Sequence, residues 1–276
     1  MRLPAACLLL ALAAPAAAPA STPAVTPPAR VVSMNLCTDQ LAMLLAAPGQ
    51  LVSVSWLAQD PRSSAMAAEA ATYPANRGLA EEVFLRRPDL VLAGTFTARA
   101  SVGMLRRLGV PVLELPPALS FADARAQIAE VGAALGREAA AAALLARFDA
   151  ALAAVPPPPA TRPTAAIVGE SGFAAGPESL SGAVLEAAGF ANLLGPMGYE
   201  TAARLPLEAL VMGRPDLLVL PEPWPGWSQA EEFLRHPALA ATGAELVLPD
   251  RNWVCPTLAL FDNLDALVAV RQTLAR

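Results

Sequence analysis

"RRPDLVLAG" at residues 86–94 and "GRPDLLVLP" at residues 213–221 share the core Arg-Pro-Asp-Leu. In each copy a proline stops the preceding helix and pushes the residue before it toward extended geometry. The aspartate then sits in a turn, where its short side chain can accept from nearby backbone N–H groups. The apolar run that follows does not alternate, as expected of a parallel-sheet strand covered on both faces. The repeat therefore predicts one α/β unit present twice, with Arg87 and Asp89 as turn residues and not catalytic ones.

The flanking segments extend this pattern. Before the first copy, "RVVSMN" reads as a strand and "CTDQLAMLLAA" as a helix with Leu41, Leu44 and Leu45 at helical spacing, capped by Thr38 or Asp39. "QLVSVSW" is a second strand and "LAEEVFLRR" a short helix. After the copy come a helix over 98–109, ending at Gly109, and the strand "VPVLELP". Residues 121–155 are alanine-rich and free of proline, with Ile128, Val131, Leu135, Leu144, Phe148 and Leu152 near helical spacing. One continuous helix here would be ~50 Å long; a break at Gly132 or Gly136 would give two. "PPPPATRP" ends the segment, and the strand, helix, helix, Arg-Pro-Asp-Leu strand, helix, strand order then starts again, closing on a helix over 258–275. The expected fold is α/β: two Rossmann-like lobes with mainly parallel sheets, residues 30–120 and 156–276, joined by a long helical connector over 121–155, with a ligand cleft between them.

Composition narrows the function. An apolar fraction of 55% against 16% charged residues excludes a disordered chain. The formal net charge is −5 and the basic residues are unclustered, which argues against nucleic acid as a partner. Residues 1–20, "MRLPAACLLLALAAPAAAPA", have the layout of a secretory signal, with cleavage near Ala18 or Ala20 and a periplasmic destination. Their apolar run is shorter than the ~20 residues needed to span a bilayer. Residues 21–29 are expected to be a disordered tether. Export leaves Cys37 and Cys255, and in an oxidising compartment an even pair favours a disulfide over two free thiols. Such a bridge would tie the two lips of the cleft. Two cysteines without clustered histidines make a poor metal site, so no metal centre and no resident cofactor are expected.

Ligands of open α/β sheets bind beyond the carboxyl ends of the strands. Those ends hold Asn35, Trp56, Phe96, Phe173, Glu222, Trp224, Trp227, Arg251 and Trp253, which include every tryptophan of the chain. With only 5% aromatic residues overall, this concentration suits a large ligand held by stacking, with Glu222 and Arg251 as polar anchors. Packing at the end of the sheet is the plainer role for any single tryptophan. Catalysis finds little support. "GESGF" (169–173) is not a nucleophile elbow, because glycine follows Ser171 directly, and the single histidine, His236, reads as a residue ending a helix. An exported serine hydrolase using Ser171 and His236 is the rival of another class.

"RVVSMNLCTDQLAMLLA" (30–46), "EEVFLRRPDLVLAG" (81–94), "GFAAGPESLSGAVLEAAGFANLL" (172–194) and "DRNWVCPTLALFDNLDALVAV" (250–270) resemble, in that order, the periplasmic substrate-binding proteins of ABC importers for vitamin B12, ferric siderophores and haem. The resemblance implies two lobes joined by one long, stiff helix and a ligand between them with little closure. It implies a monomer that hands a cobalt- or iron-containing chelate to an inner-membrane permease dimer. Within that family the chain looks most like the B12-binding branch, in which Trp56, Phe96, Phe173 and Trp253 would face the ligand. It departs by having Arg99 near the place of a permease-docking glutamate. Neither of its tyrosines, Tyr73 and Tyr199, is placed to ligate haem iron, which favours a corrinoid over haem, with ferric siderophores as the other alternative.

Overall fold

The computed structural model describes residues 26–242 and 244–274. The expected signal sequence and most of the expected tether therefore lie outside the described residues. The first half runs β1 (Val31–Ser33), α1 (Leu36–Leu45), β2 (Leu51–Ser55), α2 (Ala67–Ala70), β3 (Ala75–Asn76), α3 (Ala80–Phe84), β4 (Leu90–Gly94), α4 (Arg99–Arg107) and β5 (Val112–Leu115). Its strands form one parallel sheet in the order β3-β2-β1-β4-β5. Helices α5 (Phe121–Ala134) and α6 (Glu138–Ala153) follow. The second half runs β6 (Thr164–Ile167), β7 (Phe173–Ala174), α7 (Leu180–Ala187), β8 (Ala191–Asn192), β9 (Ala203–Arg204), α8 (Leu207–Gly213), β10 (Leu217–Pro221), α9 (Gln229–Glu232), α10 (Pro237–Ala240), β11 (Ala244–Leu248) and α11 (Leu260–Leu274). Its parallel sheet has the order β11-β10-β6-β8, and β7 and β9 form a separate antiparallel ribbon. The two sheets match except that the second lacks a fifth strand, so the duplication is not complete element by element.

The Arg-Pro-Asp-Leu repeat does a more specific job than a local turn. Arg87 (φ 51°) and Arg214 (φ 46°) are left-handed, not extended. Arg214 caps α8 and Arg87 lies two residues past the cap of α3, and at each point a left-handed residue reverses the chain from helix into strand. The aspartates reach far along the chain. Asp89 accepts from the backbone N–H of Ala29 (2.8 Å) and Arg30 (2.9 Å). Asp216 accepts from the N–H (2.7 Å) and hydroxyl (2.9 Å) of Thr164. Each carboxylate thus fixes the entry to the central strand of its own lobe, β1 or β6. Asp89→Ala and Asp216→Ala should each lower stability by about 1 kcal/mol in urea unfolding, because a charged acceptor is lost from two solvent-exposed hydrogen bonds whose donors water can still meet; a change below about 0.5 kcal/mol would contradict this role.

The same contacts end the tether early. The Pro28 carbonyl accepts from Gln50 Nε2 at 2.8 Å, and Ala29 is held by Asp89, so residues expected to be disordered up to 29 are pinned to the first lobe.

The connector is a helical hairpin and not one rod. Gly136 (φ 65°) turns the chain between α5 and α6, and Gly132 lets the helices meet, since a Cβ there would overlap the Cβ of Ala141. Phe121 on α5, Phe148 on α6 and Phe261 on α11 form an aromatic trio, with Phe148 and Phe261 edge to face at 5.1 Å. The core runs without a gap from Leu41 through Ile128 and Phe148 to Leu264, so both lobes share it. Opening the lobes would expose apolar surface, which makes the hinge stiff.

Candidate functional site

Cys37 and Cys255 are bonded, with Cα atoms 4.9 Å apart, so one covalent tie joins the first turn of α1 to the loop before α11. Val254, beside that tie, is 52% exposed and lines three neighbouring depressions. They form one composite cleft at the carboxyl ends of both sheets. The first depression, about 270 Å³, has Leu57 and Arg62 on the first lobe and Glu170, Glu222, Trp224 and Asp250 on the second. The second, about 130 Å³, is lined by Asn35, Phe96 and Pro116. The third, about 290 Å³, is lined by Phe173, Ala202 and Trp253.

The expected site residues divide into distinct roles. Phe96 (78% exposed) and Phe173 present open ring faces at the cleft, and Trp224 lines it with one ring face under the Arg62 guanidinium. Trp56 is half exposed on the 3-10 turn Trp56–Gln59, but its neighbour Leu57 lines the first depression. Trp253 departs from the expectation: it is 5% exposed, packs with the core, and donates its indole N–H to Asp250 at 3.1 Å. Asn35, not Thr38 or Asp39, caps α1, accepting from the N–H of Cys37 (3.0 Å) and Thr38 (3.4 Å). Glu222 and Arg251 pair with each other, an ion pair open enough to contribute little to stability. The loops after β4 and β10 line adjacent depressions of this cleft, Phe96 in one and Glu222 in the other.

Electrostatics at the cleft are set by carboxylates. Burial raises the Asp250 pKa above the ordinary range; the Trp253 donor opposes this, and the charges of Glu170 and Glu222 add to it. Arg62 is the residue that sequence reasoning missed. It follows a turn in which Asp60 accepts from the Arg62 N–H (3.0 Å) and the Ser63 hydroxyl (2.7 Å), bonds that hold the Asp60 carboxyl below its usual range. Arg62 then crosses to the second lobe, its guanidinium 4.0 Å from the Trp224 ring centre. The sequence signal was the Asp-Pro-Arg-Ser turn at 60–63, which follows the 3-10 turn Trp56–Gln59 beyond the end of β2.

Ser171 and His236 border a separate depression on the second lobe. Ser171 is left-handed (φ 56°), but no hydrogen bond joins it to His236 among the described residues. His236 starts α10, where its Nδ1 accepts from the Ala238 N–H at 3.2 Å, instead of ending a helix. In the neutral ring this puts the proton on Nε2, the reverse of a serine–histidine relay, in which Nδ1–H donates to a carboxylate. No group of three or more histidine, cysteine or acidic side chains among the described residues is placed to hold a metal ion, and no described helix is long and apolar enough to cross a membrane.

Comparison with known proteins agrees with this architecture. Residues 31–244 match the model of a family described as periplasmic binding protein. Cobalamin-binding proteins of two strains of Halobacterium salinarum are 31% identical over 198 residues, 70% of this chain but 53% of theirs. The chain thus spans about half the length of the curated relatives it matches. Among solved structures, a periplasmic haem-binding protein of Pseudomonas aeruginosa superposes with a TM-score of 0.72 at 24% identity, covering 88% of this chain and 92% of that one. The periplasmic vitamin B12-binding protein of Vibrio cholerae superposes with a TM-score of 0.67 at 14% identity, covering 91% and 99%. These likenesses establish the fold of two α/β lobes, and the family match over most of the chain establishes membership: the chain belongs to the periplasmic binding protein family.

Proposed function

We propose that this protein captures a corrinoid in the periplasm and delivers it to an ABC importer. The observation that carries the reading is the cleft between the lobes, three depressions meeting at Val254 and rimmed by Phe96, Phe173 and Trp224. Open ring faces suit a broad, largely apolar macrocycle. Charge separates the chelates. Three carboxylates and two arginines line the first depression, a negative surplus that opposes a dianionic haem or a polyanionic catecholate siderophore, though not a neutral ferric hydroxamate. Corrinoids carry neutral amide arms. Haem iron also takes axial ligands from histidine, cysteine, methionine or tyrosine. Among the residues lining the three depressions the one such side chain is Cys37, whose sulfur is committed to the disulfide. The names of the Halobacterium relatives point the same way.

The shared core and the disulfide leave a preformed cleft, so capture needs little lobe movement. Residues 1–20 direct export. Purification from the native periplasm and an absorbance spectrum of the bound material test the assignment: corrinoid bands are expected, and a haem Soret band in their place would refute it. Phe173→Ala should weaken corrinoid binding by about 1–2 kcal/mol through lost burial and stacking. Its ring is exposed, so thermal stability should not change; equal affinity in calorimetric titration would remove Phe173 from the site.

A further inference from the structure

Arg62 makes the polar contact that spans the mouth of the cleft. One guanidinium nitrogen donates to the carbonyls of Glu222 (3.2 Å) and Pro223 (3.0 Å), both on the opposite lobe. The same group lies over the Trp224 ring at 4.0 Å. It thereby covers the aromatic face that a ligand entering the first depression would need. The arrangement also leaves a donor unused: Arg62 Nε is buried without a partner. A buried donor with no acceptor is costly, so the parked position is strained against any state that supplies one. The turn beneath it is firm, because Asp60 accepts from Arg62 and Ser63, and the backbone N–H groups of Ser63 and Ser64 donate to the Asp60 carbonyl.

We propose that Arg62 is an exchangeable latch that reads the ligand's periphery. In the empty protein its guanidinium holds the two lips together and occupies the Trp224 face. An entering ligand takes that face, and the carbonyl oxygens of its peripheral arms replace Glu222 and Pro223 as acceptors. Amide carbonyls fit this role without adding charge to an already acidic depression. This inference rests on corrinoid capture for the identity of the arms, while the contacts of Arg62 with Glu222, Pro223 and Trp224 involve this chain alone.

The test has two arms. Without ligand, acrylamide quenching of Trp224, isolated by subtracting the Trp224→Phe chain, should rise in Arg62→Ala. It should rise equally in Arg62→Met, which keeps most of the side-chain bulk but no guanidinium. Unchanged quenching in either variant would overturn the latch, as would a rise in Arg62→Ala alone, which would mean simple shielding. With cobinamide as the probe, stopped-flow association should be at least about tenfold faster in both variants, the low end of what removing a competing contact of one cation–π pair and two hydrogen bonds gives. Cobinamide dissociation should also be faster, because the arms lose their donor. Association at the wild-type rate would refute the exchange while leaving corrinoid capture standing. Failure of every chain to bind cobinamide would refute corrinoid capture, and the quenching arm alone would then decide the latch.

Discussion

Breaking the Cys37–Cys255 bond, by reduction or by Cys37→Ser with Cys255→Ser, should lower stability by about 3–5 kcal/mol in denaturant unfolding. The two cysteines lie 218 positions apart, so the bond closes most of the chain into one loop. Chain entropy alone would give about 5 kcal/mol for a loop that long, near the top of the range disulfides reach. The lobes also share a continuous core, which should keep the reduced protein folded at room temperature. The bond sits beside Val254, where the three depressions meet, so its loss should loosen the cleft and weaken ligand binding as well. A reduced protein with the same unfolding midpoint and the same affinity would show that the shared core alone sets the lobe geometry.

Asp39→Asn should stabilise the protein at neutral pH and leave it unchanged near pH 4. Asp39 is buried in the first turn of α1, accepting from the Ser55 N–H at 3.1 Å and from the Ser55 hydroxyl. Burial raises its pKa from 3.8 to about 6, and hydrogen bonds from Ser33 and Ser55 only partly oppose that. In the unfolded chain the group titrates near 3.9, so between about pH 4 and pH 6 the folded state holds the extra proton. Its contribution is therefore fully present below about pH 4 and is lost as pH rises through about 6. The loss amounts to roughly 3 kcal/mol, at 1.36 kcal/mol per pKa unit. Asparagine keeps the shape and an acceptor for the Ser55 N–H without the charge. Its stability should vary less over this pH range, and a variant less stable than wild type at pH 7.5 would show that the ionised carboxylate is the form that the Ser55 donors favour.

Much of the fold was legible because its signals are strong and local. The proline stops, the unbroken apolar runs at 90–94 and 217–221, and the helical spacing of 121–155 mark their elements directly. The two-residue strands β3 and β8 carry no periodicity. They are set instead by buried asparagines: Asn76 donates to the carbonyls of Ser33 and Val54, and Asn192 to that of Ala175. The long reach of Asp89 and Asp216 was equally invisible, since a short carboxylate beside a proline reads as a local turn until the partner strand is placed next to it. At the cleft, the strand-end rule located Phe96, Phe173 and Trp224, but it could not tell an open ring from Trp253, whose burial depends on α11 and Asp250. Nor could it find Arg62, which lies beyond the strand end on a turn that only the folded chain brings against Trp224.

Equilibrium titration of the purified chain with aquocobalamin, haem and a ferric hydroxamate, followed by visible absorbance and by calorimetry, tests corrinoid capture most directly. Saturable binding of one equivalent of aquocobalamin, tighter than either iron chelate and weakened by Phe173→Ala, is the expected result. Tight binding of haem or of the ferric hydroxamate with no binding of aquocobalamin would contradict it.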